Sequence, residues 1–280
     1  MNADHRVTFL VSFITLVGPA AAHGQTRPVT SSSVDTRAEM EAFLSTATIV
    51  DDAGPRSDAA RSWRASLDDG TRRHHAAVET ADGSGPGGWN YRFNVAAYEL
   101  DKALGLKLVP PSVARQVRGR PASVTWWVDS AMNELERRRT NIEAPDPERW
   151  DRQMQAVRVF DELISNAYRD VSPPLYLNTV WDNLLITRDW TIWITDHTGA
   201  FRSRKRLESP ESLKRCDRAL LRRLRELNRE QLQRTLGQYL SSEQLDALEV
   251  RRELIVKHFD EQVASKGEAA VLYDLPAKQE

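Results

Sequence analysis

Asp182-Asn183-Leu184-Leu185-Ile186-Thr187-Arg188-Asp189-Trp190-Thr191-Ile192-Trp193-Ile194-Thr195-Asp196-His197 contains two short apolar runs separated by the polar turn Thr187-Arg188-Asp189. Short apolar runs bounded by turn residues read as the strands of a β-hairpin. Asn183 then stands at the start of the first strand and Asp196 just past the end of the second. An amide oxygen and a carboxylate at one hairpin mouth are hard donors of the kind that suit Mg²⁺ holding phosphates. The same two residues also suit an ordinary hairpin whose Asn and Asp cap the turns, and spacing alone leaves both readings open.

Working outward, the chain of 280 residues is long enough to bury a sizeable core as one large domain or two small ones. A formal net charge of -1 gives no reason to expect nucleic acid or an anionic membrane as a general partner. The basic residues are mostly Arg, and no Lys precedes Lys102. A lone Cys216 cannot form an internal disulfide; within a helical pattern it is expected to be a small buried hydrophobe. At the N-terminus, a weakly basic start leads into the apolar run 7–17, then Gly18-Pro19 and Ala20-Ala21-Ala22. That is the layout of a signal peptide over residues 1–24, so export to the periplasm or the medium is expected. The run is too short to span a bilayer comfortably, and no stable transmembrane anchor is expected.

Residues 25–45 read as a flexible Ser/Thr/Pro-rich leader ending in a short helix over 37–45. Residues 60–67 and 71–80 bracket Asp68-Asp69-Gly70, a hairpin signal. A Gly-rich link over 81–88 precedes an amphipathic helix over 91–104, with Phe93, Ala97, Leu100 and Leu104 on one face and Gly105 as its stop. Strands are expected over 108–117 and 123–128, joined by Arg118-Gly119-Arg120-Pro121. Beyond Asp129 the pattern turns helical: 150–166, with Met154, Val157, Phe160, Leu163 and Ile164 inward, then 212–228, 230–240 and 242–264 after the hairpin. The fold class is therefore α+β, with a strand-rich lobe over 46–128, a mainly helical lobe over 129–265 and a tail over 266–280.

In this order the residues resemble the phosphatidylinositol 3-/4-kinase-like catalytic domains, in a bacterial exported branch. The resemblance is carried by Tyr91-Arg92-Phe93-Asn94-Val95-Ala96-Ala97-Tyr98-Glu99-Leu100-Asp101, Leu104-Gly105-Leu106, Val109-Pro110-Pro111-Ser112-Val113 and Thr125-Trp126-Trp127-Val128. It continues through Val159-Phe160-Asp161-Glu162-Leu163-Ile164-Ser165-Asn166, the stretch 183–186 and Ile194-Thr195-Asp196-His197-Thr198-Gly199-Ala200-Phe201-Arg202, spanning roughly residues 61–259. It implies a two-lobed protein-kinase-like fold that binds ATP and Mg²⁺. It makes Asn183 and Asp196 the metal ligands and Trp126, Trp127 and Val128 the hinge strand against the adenine. Glu99 lies in the helix that supplies an ion-pair acid. Read from the residues alone, Trp126 and Trp127 equally suit core aromatics on alternate strand faces, and Glu99 a surface helix position.

The chain departs from the family pattern in two places. The catalytic loop of the family reads Asn-x-Asp-Arg, whereas here it reads Asn166-Ala167-Tyr168-Arg169, and the segment that follows is lengthened. A phenol with a pKa of about 10 is a poor base at neutral pH. Asp170 is the candidate substitute, with Asp182 behind it. The family's phosphate-anchoring Lys, expected on a strand before the Phe93 helix, is missing, and Arg73 or Arg92 are the candidate replacements. Two functions follow as expectations: a phosphotransferase with weakened or altered activity, or an exported pseudokinase that binds a ligand or partner without catalysis. His74-His75 cannot chelate one ion, because neighbours on a strand face opposite ways. His197 is expected to be structural.

Overall fold

The computed structural model describes residues 36–52, 62–84, 88–166 and 182–275. The expected signal-peptide segment, most of the expected leader, and both Tyr168 and Asp170 lie outside the described residues.

Helix α1 (Arg37–Thr46) starts at a capping box, in which Thr36 and Glu39 each bond the other's backbone N–H. Strand β1 (Thr48–Asp52) follows, then β2 (Ser62–Asp68) and β3 (Arg73–Glu79). The β2–β3 turn is held by Asp69, whose carboxylate accepts from the N–H groups of Thr71 and Arg72. Helix α2 (Arg92–Leu104) ends at Gly105, whose φ of 60° places it in the left-handed region where glycine carries no Cβ penalty.

Strand β4 (Ser112–Val117) begins later than the expected residue 108, because the Leu108 and Val109 N–H groups donate to the Asp101 carboxylate at 2.8 and 3.2 Å instead of joining a ladder. Strand β5 (Arg120–Trp126) begins earlier than expected. Arg118 and Gly119, at φ 52° and 74°, form a tight two-residue turn that pairs Val117 with Arg120. The five strands form one antiparallel sheet in the order β1-β2-β3-β5-β4. One face packs its alternate residues, including Leu67, Ala76, Val78 and Val124, against Phe43 and Leu44 of α1.

The helical part contains β6 (Met132–Asn133), α3 (Glu134–Arg139), α4 (Pro147–Ile164), β7 (Leu184–Ile186) and β8 (Ile192–Ile194). It continues with β9 (Cys216–Asp217), α5 (Arg218–Glu226), α6 (Arg229–Leu236), α7 (Ser242–Lys266), α8 (Glu268–Val271) and β10 (Leu272–Tyr273). The expected hairpin is β7–β8, extended by β6 into three strands. The expected helix over 212–228 is corrected. Residues 216–217 are a strand paired in parallel with β10, and the helix starts only at Arg218, where the Asp217 carboxylate caps the Leu220 N–H. Cys216 thus sits on a strand, not in a helix. It is fully buried, as expected of a small hydrophobe, and burial pushes its thiol pKa up.

A second, larger core gathers α2, α4, the hairpin and α5–α7 through residues such as Leu100, Phe160, Leu163, Ile194 and Phe259. Each fully buried side chain of this size contributes about 1.5–3 kcal/mol. Helix α2 gives Phe93, Leu100 and Leu104 to this core while its Asn94 bonds Ser123 of β5, so it links the two parts. The fold is α+β, a strand-rich part followed by a mainly helical one, as the residue pattern predicts. No helix among the described residues is long and apolar enough to cross a membrane.

Candidate active site

A cavity of about 280 Å³ opens between one face of the five-stranded sheet and the mouth of the β7–β8 hairpin. Trp126, Trp127 and Val128 from the end of β5, and Asn183 and Asp196 from the hairpin, all line it. The sequence-predicted hinge and metal residues are therefore brought together. Glu99 is not among the lining residues; it lies on α2 and pairs with Lys102 at 3.0 Å.

The hairpin mouth is closed by the Thr195 N–H, which donates to the Asn183 carbonyl at 2.9 Å. Across it, Asn183 Nδ2 lies 3.4 Å from Asp196 Oδ2. Asp196 has a φ of 53°, a left-handed conformation that aspartate tolerates better than most residues. Its Oδ1 accepts from the Thr198 N–H and hydroxyl, which leaves Oδ2 on the Asn183 side. Turning the Asn183 amide about its last bond would put two hard oxygens side by side. Mg²⁺ commonly takes one or two protein carboxylates and completes its shell with phosphates and water, so this donor set fits it. Among the described residues no three His, Cys, Asp or Glu side chains gather as a metal site. A metal here would accordingly depend on its ligand's own oxygens.

Asn94 is a site residue that sequence reasoning missed. From α2 it donates to Ser123 Oγ at 3.1 Å and accepts from the His197 N–H at 2.8 Å, tying sheet, helix and hairpin exit around the cavity. No local signal marks it, since its partners come from distant segments. His197 is buried with its ring edge-on to Phe160, and it also lines the cavity.

His74 and His75 face opposite ways, as expected. His75 Nδ1 meets Ser66 Oγ, while the His74 ring stacks on Trp126 at 3.7 Å and its Nε2 meets the Trp127 carbonyl at 2.9 Å. The Trp126 ring packs on the smaller core, edge-on to Phe43, so this residue is a core aromatic as well as a cavity wall. Burial holds the His74 pKa below its usual 6.5, partly offset by the Trp127 hydrogen bond. The unfolded chain therefore takes up this proton first as pH falls, and stability declines below the unfolded pKa. His74→Phe, which keeps an aromatic stack on Trp126, is expected to show a shallower loss of urea midpoint between about pH 7 and about pH 5 than the wild type. Parallel curves would reject the assignment.

The resemblance expects the phosphate-anchoring Lys on a strand before α2; from those strands the cavity-lining residues are Ser62, Ala77 and Glu79. No Lys or Arg occurs among the described lining residues.

No protein-family model matches this chain, and no curated protein matches it. Among solved structures it is similar to a proinflammatory kinase of Helicobacter pylori, CtkA, with 9% identity and a TM-score of 0.44, over 73% of this chain and 94% of the other.

Proposed function

We propose that this protein is a kinase-like module of the phosphatidylinositol 3-/4-kinase-like group that binds a nucleotide with Mg²⁺ in the cavity, with weakened or altered phosphoryl transfer, and that it acts after export. The observation that carries the reading is the shared cavity of Trp126–Val128 and the Asn183/Asp196 pair. Asn183 and Asp196 would hold the metal, and Trp126 to Val128 would form the wall against the base. Mg²⁺ held by these two residues would supply positive charge for the phosphates. The acid residues Asp182 and Asp196 both border this space. The second reading, a pseudokinase that binds without turnover, is favoured by the lining residues from the strands before α2, Ser62, Ala77 and Glu79, none of which is a cation.

Melting the full chain with and without Mg-ATP tests the binding step. A ligand at 100 times its dissociation constant stabilises the native state by about 2.7 kcal/mol, or roughly 5–10 °C for a chain of this size. Asp196→Asn and Asn183→Ala are each expected to remove the shift. No shift at millimolar nucleotide in the wild type would sink the nucleotide reading. Phosphate release then separates the two readings: turnover lost in Asp170→Asn supports the kinase with Asp170 as its base, and binding without turnover supports the pseudokinase.

A further inference from the structure

A second cavity, of about 250 Å³, lies at the other end of the β7–β8 hairpin, between its turn and the start of α4. It shares no lining residue with the cavity at the hairpin mouth. Its walls are Trp150 and Trp190, whose rings meet at 85° with centroids 5.8 Å apart and so form a corner of two indoles. Asp146, Arg149, Gln153 and Asp189 supply its polar border. We infer that this cavity is a binding site for an alkylated ammonium group, such as the trimethylammonium head of choline, seated against the indoles and faced by the carboxylates of Asp146 and Asp189.

The hydrogen-bond inventory decides the class of ligand. The donors at the border are committed to the protein itself. Arg149 gives Nη1 to the Asp189 carbonyl at 2.7 Å and Nη2 to the Thr191 hydroxyl at 3.1 Å. Gln153 gives Nε2 to the Trp190 carbonyl at 2.9 Å and accepts the Ile192 N–H on Oε1 at 3.0 Å. A helix N-terminus attracts anions, but that of α4 is capped by Asp146, whose Oδ1 accepts the Arg149 N–H at 2.9 Å. An anion would find few donors here, and a sugar would leave hydroxyl oxygens unmatched.

Acceptors remain. A carboxylate has about four lone-pair sites, and Asp146 forms no salt bridge among the described residues. Arg149 Nη2 lies 4.0 Å from Asp189 Oδ2, so its charge is set against that carboxylate and Asp146 is left in excess. Partial burial works against the charge of Asp189, but bonds from the Thr187 and Thr191 hydroxyls prevail and hold its pKa below the usual carboxylate value. An alkylated ammonium carries its charge under an apolar shell, which suits indoles and carboxylates together. Trp190 is also an unfavourable residue for its position. Its φ of 62° is a left-handed conformation, rare for a bulky residue, held by its N–H to the Thr187 carbonyl and by the Gln153 bond. Strain of this kind, kept where the surroundings enforce it, fits an indole retained for what it contacts.

The test titrates the full-length protein calorimetrically with choline chloride and with dimethylbutanol, the uncharged isostere of choline, against a sodium chloride blank. Choline is expected to bind, and the alcohol to bind roughly 10-fold more weakly, since it lacks the charge that the indoles and carboxylates meet. Trp190→Gly removes one wall and relieves the backbone, and is expected to weaken choline roughly 10- to 30-fold. Asp146→Asn keeps a good N-cap and removes only charge. It is expected to weaken choline about 2- to 5-fold, with the alcohol's affinity and unliganded melting unchanged. If Trp190→Gly does not fold, Asp146→Asn decides. No choline binding to the wild type overturns the inference, and so does equal affinity for the alcohol. Unchanged choline affinity in either folded variant also overturns it. Co-sedimentation with phosphatidylcholine but not phosphatidylglycerol vesicles would make a lipid headgroup the source of the ammonium, and choline binding without it a free solute; both uphold the site.

Discussion

Asp101→Ala is expected to lower the unfolding free energy by about 3–5 kcal/mol, the cost typical of removing one partner from a buried ion pair. Asp101 is fully buried at the end of α2, with Oδ2 3.0 Å from Arg37 Nη1. Its Oδ1 accepts from the Leu108 and Val109 N–H groups, and the Arg37 guanidinium also donates to the Val109 carbonyl at 3.0 Å. Alanine would leave a nearly buried guanidinium and two buried N–H groups without their acceptor. An unsatisfied buried donor costs about 1–3 kcal/mol, so the lost amide bonds matter as much as the lost charge. Asp101→Asn keeps an acceptor for the amides and should cost less than alanine. Chemical unfolding of both variants checks the order; equal losses would show that the amide bonds contribute little.

The same contacts reach the cavity. Val109 lines it, the Leu108 carbonyl accepts from the Ile194 N–H at 2.9 Å, and Ile194 lies two residues before Asp196. Arg37 also lies 5.7 Å from the Trp193 ring centroid on β8. Helix α1 is therefore tied to the hairpin through α2 and the strip before β4. An Asp101 variant that still folds is expected to loosen the hairpin mouth as well as the core.

Much of this arrangement was legible in the residues, and what was missed has a common cause. Helices α2 and α4 followed from their apolar spacing, which local sequence carries completely, and the hairpin followed from two apolar runs around a polar turn. Strand β1 was not anticipated because Thr48-Ile49-Val50-Asp51-Asp52 shows no alternation; it forms because β2 offers an edge to pair with. Strand β9 was mistaken for helix because its partner, β10, lies far along the chain. Asn183 and Asp196 could be picked out because they flank the hairpin. Asn94 could not, since its place in the site comes from the docking of α2 against β5 and the hairpin exit. Glu99 lies on the expected helix, where it pairs with Lys102 and is not among the lining residues.

Arg251→Met is expected to cost a similar amount, about 3–5 kcal/mol, or roughly 6–20 °C in melting temperature. Arg251 sits in α7 and is fully buried. Its Nε donates to the Leu163 carbonyl at 2.8 Å and its Nη1 to the Arg202 carbonyl at 2.9 Å, with a further bond to the Arg204 carbonyl. Burial lowers its pKa to about 10, against the pull of Glu162 and Glu208, so it stays charged at neutral pH. The Glu162 carboxylate meanwhile accepts from the Glu208 and Ser209 N–H groups. One guanidinium and one carboxylate thus pin residues 202–209, which leave the hairpin after Asp196, onto the end of α4. Methionine retains most of the apolar volume, so a loss of the expected size would come from three stranded carbonyls and not from a cavity. If Arg251→Met melts within about 2 °C of the wild type, a change under about 1 kcal/mol, the guanidinium does not hold this segment. If the loss is as expected, hydrogen exchange should show the Phe201 N–H, which donates to the Ile164 carbonyl, opening in the variant before the α4 amides do.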